Sequence, residues 1–192
     1  MAQIALFHSI LGVRPGELDA ARRLTEAGHE VRVIDQYDGE VFDDYEDATA
    51  FARVIGYHEL VGRALAATAD MPDNFAAVGF SNGAVMAEYV AVHRPVSGLV
   101  LVSTAVEVAE VGAPAWPDGV PVQIHHAMGD PWKEPQQIID LVEQVMSAKG
   151  DVEVFDYPEG GHVFTDPSKA DEYDEAATEL FWERALSFLA KL

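Results

Sequence analysis

Three residues of this chain carry chemistry that they can perform only together. Ser81 stands at the centre of Gly79-Phe80-Ser81-Asn82-Gly83, after the apolar run Phe75 to Phe80 and before a small-residue helical stretch from Ala84 to Val92. Strand, tight turn and helix are the context of a nucleophile elbow. The turn strains its central residue, small neighbours avoid collisions, and the hydroxyl stands above a sheet at a helix N-terminus whose dipole favours negative charge. The same glycine-rich turn could instead hold a phosphate, or nothing. Asp130 lies in Met128-Gly129-Asp130-Pro131-Trp132, just past the run Val122–Ala127. Taken locally, an Asp before a Pro reads as a helix N-cap. His162 follows the run Val152–Tyr157 behind Gly160 and Gly161, which let an imidazole approach another backbone. Taken jointly, Ser…Asp…His, each beyond its own strand, reads as nucleophile, orienting acid and base. The histidine takes the serine proton and passes it to the leaving group, and the aspartate fixes the tautomer. The oxyanion then needs two backbone N–H donors. Asn82 supplies one and the loop His8 to Gly16, with Gly12 and Gly16 suited to close approach, the other.

Positioning these residues requires strands ending just before them. Ile4–His8, Val31–Asp35, Ala76–Phe80, Leu99–Thr104, Val122–Ala127 and Val152–Tyr157 read as six short, near-continuously apolar strands, as buried parallel strands are. Helical patterns fill Pro15–Ala27, Tyr45–Ala69, Asn82–His93, Trp132–Lys149 and Ala170–Leu192. Gly28 and Gly150 sit where helix C-caps belong, and Gly56 or Gly62 could split the second helix. The alternation predicts one α/β domain over residues 1–192: a doubly wound, mostly parallel sheet of about six strands, helices on both faces, ligands at the carboxyl ends of the strands.

Composition narrows the function classes. The chain has 192 residues, 49% hydrophobic, with a formal net charge of −21 and no cysteine. Such charge argues against nucleic acid and anionic membranes as partners. The acidic runs (Asp43, Asp44, Glu46, Asp47; Glu172, Asp174, Glu175) read as solvated surface. Without cysteine there is no disulfide, thiolate metal site or thiol nucleophile. The start, Met1 to Phe7, lacks the basic region of a signal peptide, and no apolar stretch approaches the roughly 18–20 residues of a membrane span. A cytoplasmic protein, monomer or homodimer, is the expectation.

The segments now in view resemble the dienelactone hydrolase family of α/β-hydrolases, in a short form. They are the first strand with Ile10-Leu11-Gly12, then Asp35-Gln36-Tyr37-Asp38-Gly39, Gly79-Phe80-Ser81-Asn82-Gly83, His126-Ala127-Met128-Gly129-Asp130-Pro131, and Gly161-His162-Val163-Phe164. The resemblance spans nearly the whole chain. It implies an α/β-hydrolase fold acting on a small ester, lactone or thioester without a cofactor, with Ser81 as nucleophile, Asp130 as acid, His162 as base, and Ile10 and Asn82 as oxyanion donors. Three positions depart from the family's namesakes. Ser81 stands where they use cysteine, Ser9 where a glutamate pairs with that cysteine, and Thr165 and Asp166 where an arginine binds the substrate carboxylate. The first two changes agree with each other, since a serine activated by a histidine does not need the glutamate. The third predicts a neutral or weakly charged substrate, with Asp166 repelling an anion and Arg14 the one nearby cation able to reverse this. The segment Ala105 to Pro121 is too short for a large cap domain, so the site should be open.

Ser9, Leu11, Arg14, Phe80, Trp132 and Phe164 are candidates to line the substrate pocket, with Trp116 beside them; for each aromatic, plain core packing explains the residue equally well. The adjacent His125 and His126 must point to opposite faces of a strand, so they cannot share a metal, and His8 fits a core histidine better than a pocket one. Asp35 lacks the glycine fingerprint of a dinucleotide site. Two other readings compete with a serine hydrolase: a non-catalytic ligand-binding or scaffold member of the same fold, and a flavodoxin-like anion binder using the helix N-terminus at Ser81.

Overall fold

A computed structural model describes residues 2–192; Met1, which opens the first apolar run, lies outside the described residues. Six strands form one fully parallel sheet: β1 (Gln3–Phe7), β2 (Glu30–Ile34), β3 (Phe75–Phe80), β4 (Val96–Val102), β5 (Val122–Ala127) and β6 (Val152–Tyr157), in the order β2-β1-β3-β4-β5-β6. Six helices lie between or after them, two in succession between β2 and β3 and none between β4 and β5: α1 (Pro15–Glu26), α2 (Tyr45–Ile55), α3 (Tyr57–Thr68), α4 (Asn82–Ala91), α5 (Pro135–Ser147) and α6 (Glu175–Leu189). Alternate strand residues feed two cores, as a pleat requires. Ala5, Phe7, Ala77, Leu99, Leu101 and Ile124 meet α3, α4 and α5; Ile4, Leu6, Ala76, Val78 and Val100 meet α1 and α6. The order reverses direction at β1/β3, and Ser81 caps β3 beside that switch.

The differences from the sequence reading have local causes. The second helix breaks into α2 and α3 at Gly56, which adopts φ +88, while Gly62 stays inside α3. The fifth helix starts at Pro135, not Trp132, and the last at Glu175, not Ala170. After α1, Gly28 does take the left-handed backbone that ends a helix. After α5 that conformation falls on Lys149 (φ +63). Gly150 is needed for space, since a Cβ there would strike the Val120 carbonyl oxygen. The first strand stops at Phe7, before His8, and the fourth starts earlier and ends at Val102. Ser103 turns away with φ +68, its N–H donating to the His125 carbonyl at 2.8 Å. Between β4 and β5 the chain forms only turns and loop, and no cap domain covers the sheet's carboxyl edge.

Candidate active site

Ser81 sits at φ 52, ψ −120, a backbone conformation that costs an L-residue energy and persists only where surroundings impose it. Packing imposes it here. A Cβ at Gly79 would run into the Gly83 carbonyl, and one at Gly83 into the carbonyl oxygens of Phe7 and His8, so only this spacing of glycines lets α4 begin directly against β1. Ser81 N–H donates to the Val102 carbonyl at 2.8 Å, tying the turn to β4.

The hydroxyl so presented meets His162: Ser81 Oγ and His162 Nε2 are 2.6 Å apart. The other ring nitrogen, Nδ1, lies 2.7 Å from Asp130 Oδ2. All three residues are buried, the Asp130 side chain completely. Asp130 is not a helix cap, because no helix starts at Pro131. Its second oxygen instead accepts from the Trp132 N–H at 2.8 Å, closing a turn that aims the first oxygen at the imidazole. Asn82 opens α4, so its N–H has no intrahelical acceptor. Ile10 lies in a turn closed by Gly12 N–H on the Ser9 carbonyl at 3.1 Å, and its own N–H finds no backbone acceptor among the described residues. A hydroxyl, an imidazole and a carboxylate in this chain can move a proton off Oγ and keep the resulting imidazolium paired.

The proposed pocket residues separate into three groups. Trp132 borders the site, half-exposed, its ring 4.8 Å from that of His162. Ser9 and Leu11 lie buried in the first loop, Ser9 N–H on Glu17 Oε1 at 3.0 Å and Leu11 against Ala48 and Val163. Phe80, Phe164 and Trp116 belong to the cores: Phe80 and Phe164 both pack on Phe181 beneath α6, and Trp116 donates its indole N–H to the Val120 carbonyl. Phe80 faces away because it continues the Ala76–Val78 alternation of β3 into the core under α6.

Arg14 is neither solvent-facing nor free to bind substrate. Its guanidinium is buried and reaches Asp166 Oδ2 at 2.7 Å, Asp43 Oδ1 at 3.0 Å, Ser168 Oγ at 2.8 Å and the Phe42 carbonyl. Asp166 is accordingly spent on Arg14 and on the Gly16 N–H, and does not repel an incoming anion. His8 is a core residue, its Nδ1–H donating to the Ser9 carbonyl and its Nε2 accepting from the Gln36 N–H.

Sequence reasoning missed three supports of His162. Ser103 Oγ donates to the His162 carbonyl. Glu172 accepts from the Val163 N–H at 2.9 Å and from the Tyr45 hydroxyl at 2.9 Å. Tyr45, so paired and desolvated, has its hydroxyl pKa pushed up, and its ring lies 4.5 Å from Trp132 and 6.1 Å from His162. Glu172 belonged to an acidic run read as solvated surface. In that same set Asp44 and Asp174 cap α2 and α6. Only the caps were detectable in principle, each carboxylate standing just before a helical run. Among the described residues, no cluster of three or more His, Asp or Glu side chains could hold a metal ion, and no helix is long and apolar enough to cross a membrane.

The sequence profile of the dienelactone hydrolase family matches residues 2–192. No curated protein matches the chain in sequence. Among solved structures, the fold is similar to a dienelactone hydrolase-like promiscuous phosphotriesterase from metagenomic libraries (TM-score 0.79, 20% identity, covering 100% of this chain and 87% of that one). It is also similar to a candidate dienelactone hydrolase from Klebsiella pneumoniae (0.74, 18%, 100% and 88%) and to an α/β-hydrolase domain-containing protein from mouse (0.72, 14%, 98% and 90%).

Proposed function

The chain belongs to the dienelactone hydrolase family, and on that premise we propose that it cleaves a small, uncharged ester, lactone or thioester through an acyl-enzyme on Ser81. The observation that carries the reading is the hydrogen-bonded line Ser81 Oγ–His162 Nε2 (2.6 Å) and His162 Nδ1–Asp130 Oδ2 (2.7 Å). Ser81 Oγ attacks the carbonyl carbon while its proton passes to Nε2. The N–H groups of Ile10 and Asn82 stabilise the oxyanion. As the carbonyl re-forms, the bond to the leaving oxygen or sulfur breaks and that atom takes the proton from Nε2. A water then repeats the sequence on the acyl carbon, giving its proton to Nε2 and releasing the acid as Ser81 Oγ is reprotonated. Asp130 holds the Nδ1–H throughout and pairs with the transient imidazolium.

An uncharged substrate is supported by the cations around the site, each of which already has a carboxylate. Arg14 pairs with Asp166, Lys133 with Asp156, and Lys169 with Asp171 and Glu172. The test is covalent labelling of folded protein by a fluorophosphonate, read by intact mass, with a screen of p-nitrophenyl esters of graded acyl length and a carboxylate-bearing lactone. One adduct, lost in Ser81→Ala, and turnover of short neutral esters over the anionic lactone are expected. Absence of any adduct or turnover sinks the enzyme reading and leaves a binding or scaffold protein.

A further inference from the structure

Beside His162 the carboxyl edge of β4 and β5 encloses a cavity of about 140 Å³, walled by Ser103, Thr104, Val106, His126, Trp132 and Gln137. Two of its walls belong to the proposed active site: Trp132 contacts the His162 ring, and Ser103 holds the His162 carbonyl. The remaining wall is held by side chains. Val106 N–H donates to Glu88 Oε1 at 3.1 Å, Glu107 N–H to Gln137 Oε1 at 2.8 Å and Val108 N–H to Gln144 Oε1 at 2.8 Å. Three backbone donors met by three side-chain acceptors make a rim that does not collapse freely.

His126 lines this cavity, 1% exposed, with neither ring nitrogen hydrogen-bonded to any described residue. Its neighbour His125, on the other face of β5, has both nitrogens paired, one with the Tyr157 hydroxyl and one with Gln123 Oε1. Buried polar groups in folded proteins are nearly always paired, and one left alone destabilises the fold. The contrast between adjacent histidines on one strand marks His126 as the one whose partner comes from outside the fold.

Resting on the reading of Ser81 as nucleophile, we propose that this cavity is a substrate subsite for a short, uncharged, hydroxyl-bearing group, and that His126 is its specificity-determining residue. Size favours a short group: the cavity holds about 140 Å³ between the β4–β5 edge and Trp132. Chemistry selects a hydroxyl. A neutral imidazole offers one donor and one acceptor, as a hydroxyl does, and burial with nearby Lys133 pushes the His126 pKa down to about 4. A carboxylate would find no free cation here, because Lys133 Nζ is held by Asp156.

The test compares hydroxylated substrates with their deoxy partners, in wild type and in His126→Leu and His126→Gln. One arm places the hydroxyl on the acid side (p-nitrophenyl 3-hydroxybutyrate against butyrate), the other on the alcohol side (2-hydroxyethyl against propyl butyrate). In one arm the kcat/KM ratio of hydroxylated to deoxy substrate should fall by about tenfold in His126→Leu and less in His126→Gln, as the loss of one neutral hydrogen bond implies. The thermal midpoint of His126→Leu should hold or rise, because no protein hydrogen bond is lost. Independently of turnover, the His126 imidazole ¹⁵N signals of Ser81→Ala protein should shift on titration with the hydroxylated ethyl ester or hydroxyethyl ester of the productive arm and not with its deoxy partner. Unchanged ratios in both arms with no such shift would overturn the subsite, even with plain esters turned over. Absence of all ester turnover with the shift retained would instead remove the hydrolase reading and keep the binding site.

Discussion

The two flanks of Ser81 handle buried polarity differently next to the reactive groups. On the β1 side, the first loop and the segment after His162 are knotted by Arg14, whose guanidinium serves Asp166, Asp43, Ser168 and the Phe42 carbonyl. Glu17 receives the N–H groups of Ser9 and Arg14. On the β4–β5 side, both nitrogens of His126, Glu88 Oε2 and Asn82 Nδ2 are buried without partners. The Arg14 knot is a closed network around the first loop, although farther along that side the Tyr37 hydroxyl and Gln36 Oε1 are also buried without partners; the β4–β5 side keeps hydrogen-bonding capacity unspent beside the imidazole. Groups that fold a protein consume one another, whereas those that meet a ligand cannot, so the unsatisfied flank is the one to probe for substrate and the satisfied one for stability.

The largest expected effect lies between the flanks. Ser81→Ala should lower kcat for a short p-nitrophenyl ester by on the order of 10⁵- to 10⁶-fold with little change in thermal midpoint. A small loss would mean the flanks frame something other than a nucleophile. Asp130→Asn should cost about 10⁴-fold in kcat by presenting the wrong tautomer to His162. Turnover per folded molecule left near wild type would reduce Asp130 to its turn with Trp132.

Arg14→Ala tests the closed flank. With both side chains of the Arg14–Asp166 pair 5% exposed, leaving Asp166 unpaired should destabilise the fold by about 3 kcal/mol, read by denaturant unfolding. If Arg14→Ala instead raises KM for an anionic lactone at unchanged stability, the contrast between the flanks collapses. Glu88→Gln tests the open flank by the smallest effect. Complete burial raises the Glu88 pKa well above 4.5. A raised folded-state pKa means its stabilising contribution is complete below about 4.5 and is lost as pH climbs through the raised value. Glutamine keeps the bond to Val106 and cannot ionise, so the variant should match wild type near pH 4 and pull ahead in thermal midpoint as pH rises. A gap independent of pH would mean that Glu88 is ionised in the fold at all these values.

Much of the architecture is visible in one dimension because it rests on local pattern. Six apolar runs spaced by helical periods yield the parallel sheet, and five of the six strands carry their boundaries to within one residue. Errors fell where a boundary depends on neighbours: Trp132 to Glu134 stay out of α5 because Asp130 spends its carboxylate on Trp132 and His162 instead of a helix start.

The sequence alone determined the order of the strands' chemical ends, the glycine spacing that forces Ser81 into its strained turn, and the approach of Ser81, Asp130 and His162. Each of these follows from short-range patterning plus the parallel topology that patterning implies. Which aromatics line the site, what Arg14 binds, and which histidine goes unpaired were decided only by the tertiary structure. Arg14 and Asp166 are 152 residues apart, and Glu172 meets Tyr45 across 127. Partnerships of that range leave no periodic trace. A charged or aromatic side chain reads the same in the sequence whether it meets solvent, a core or a partner, and only the folded chain's desolvation and geometry choose between them.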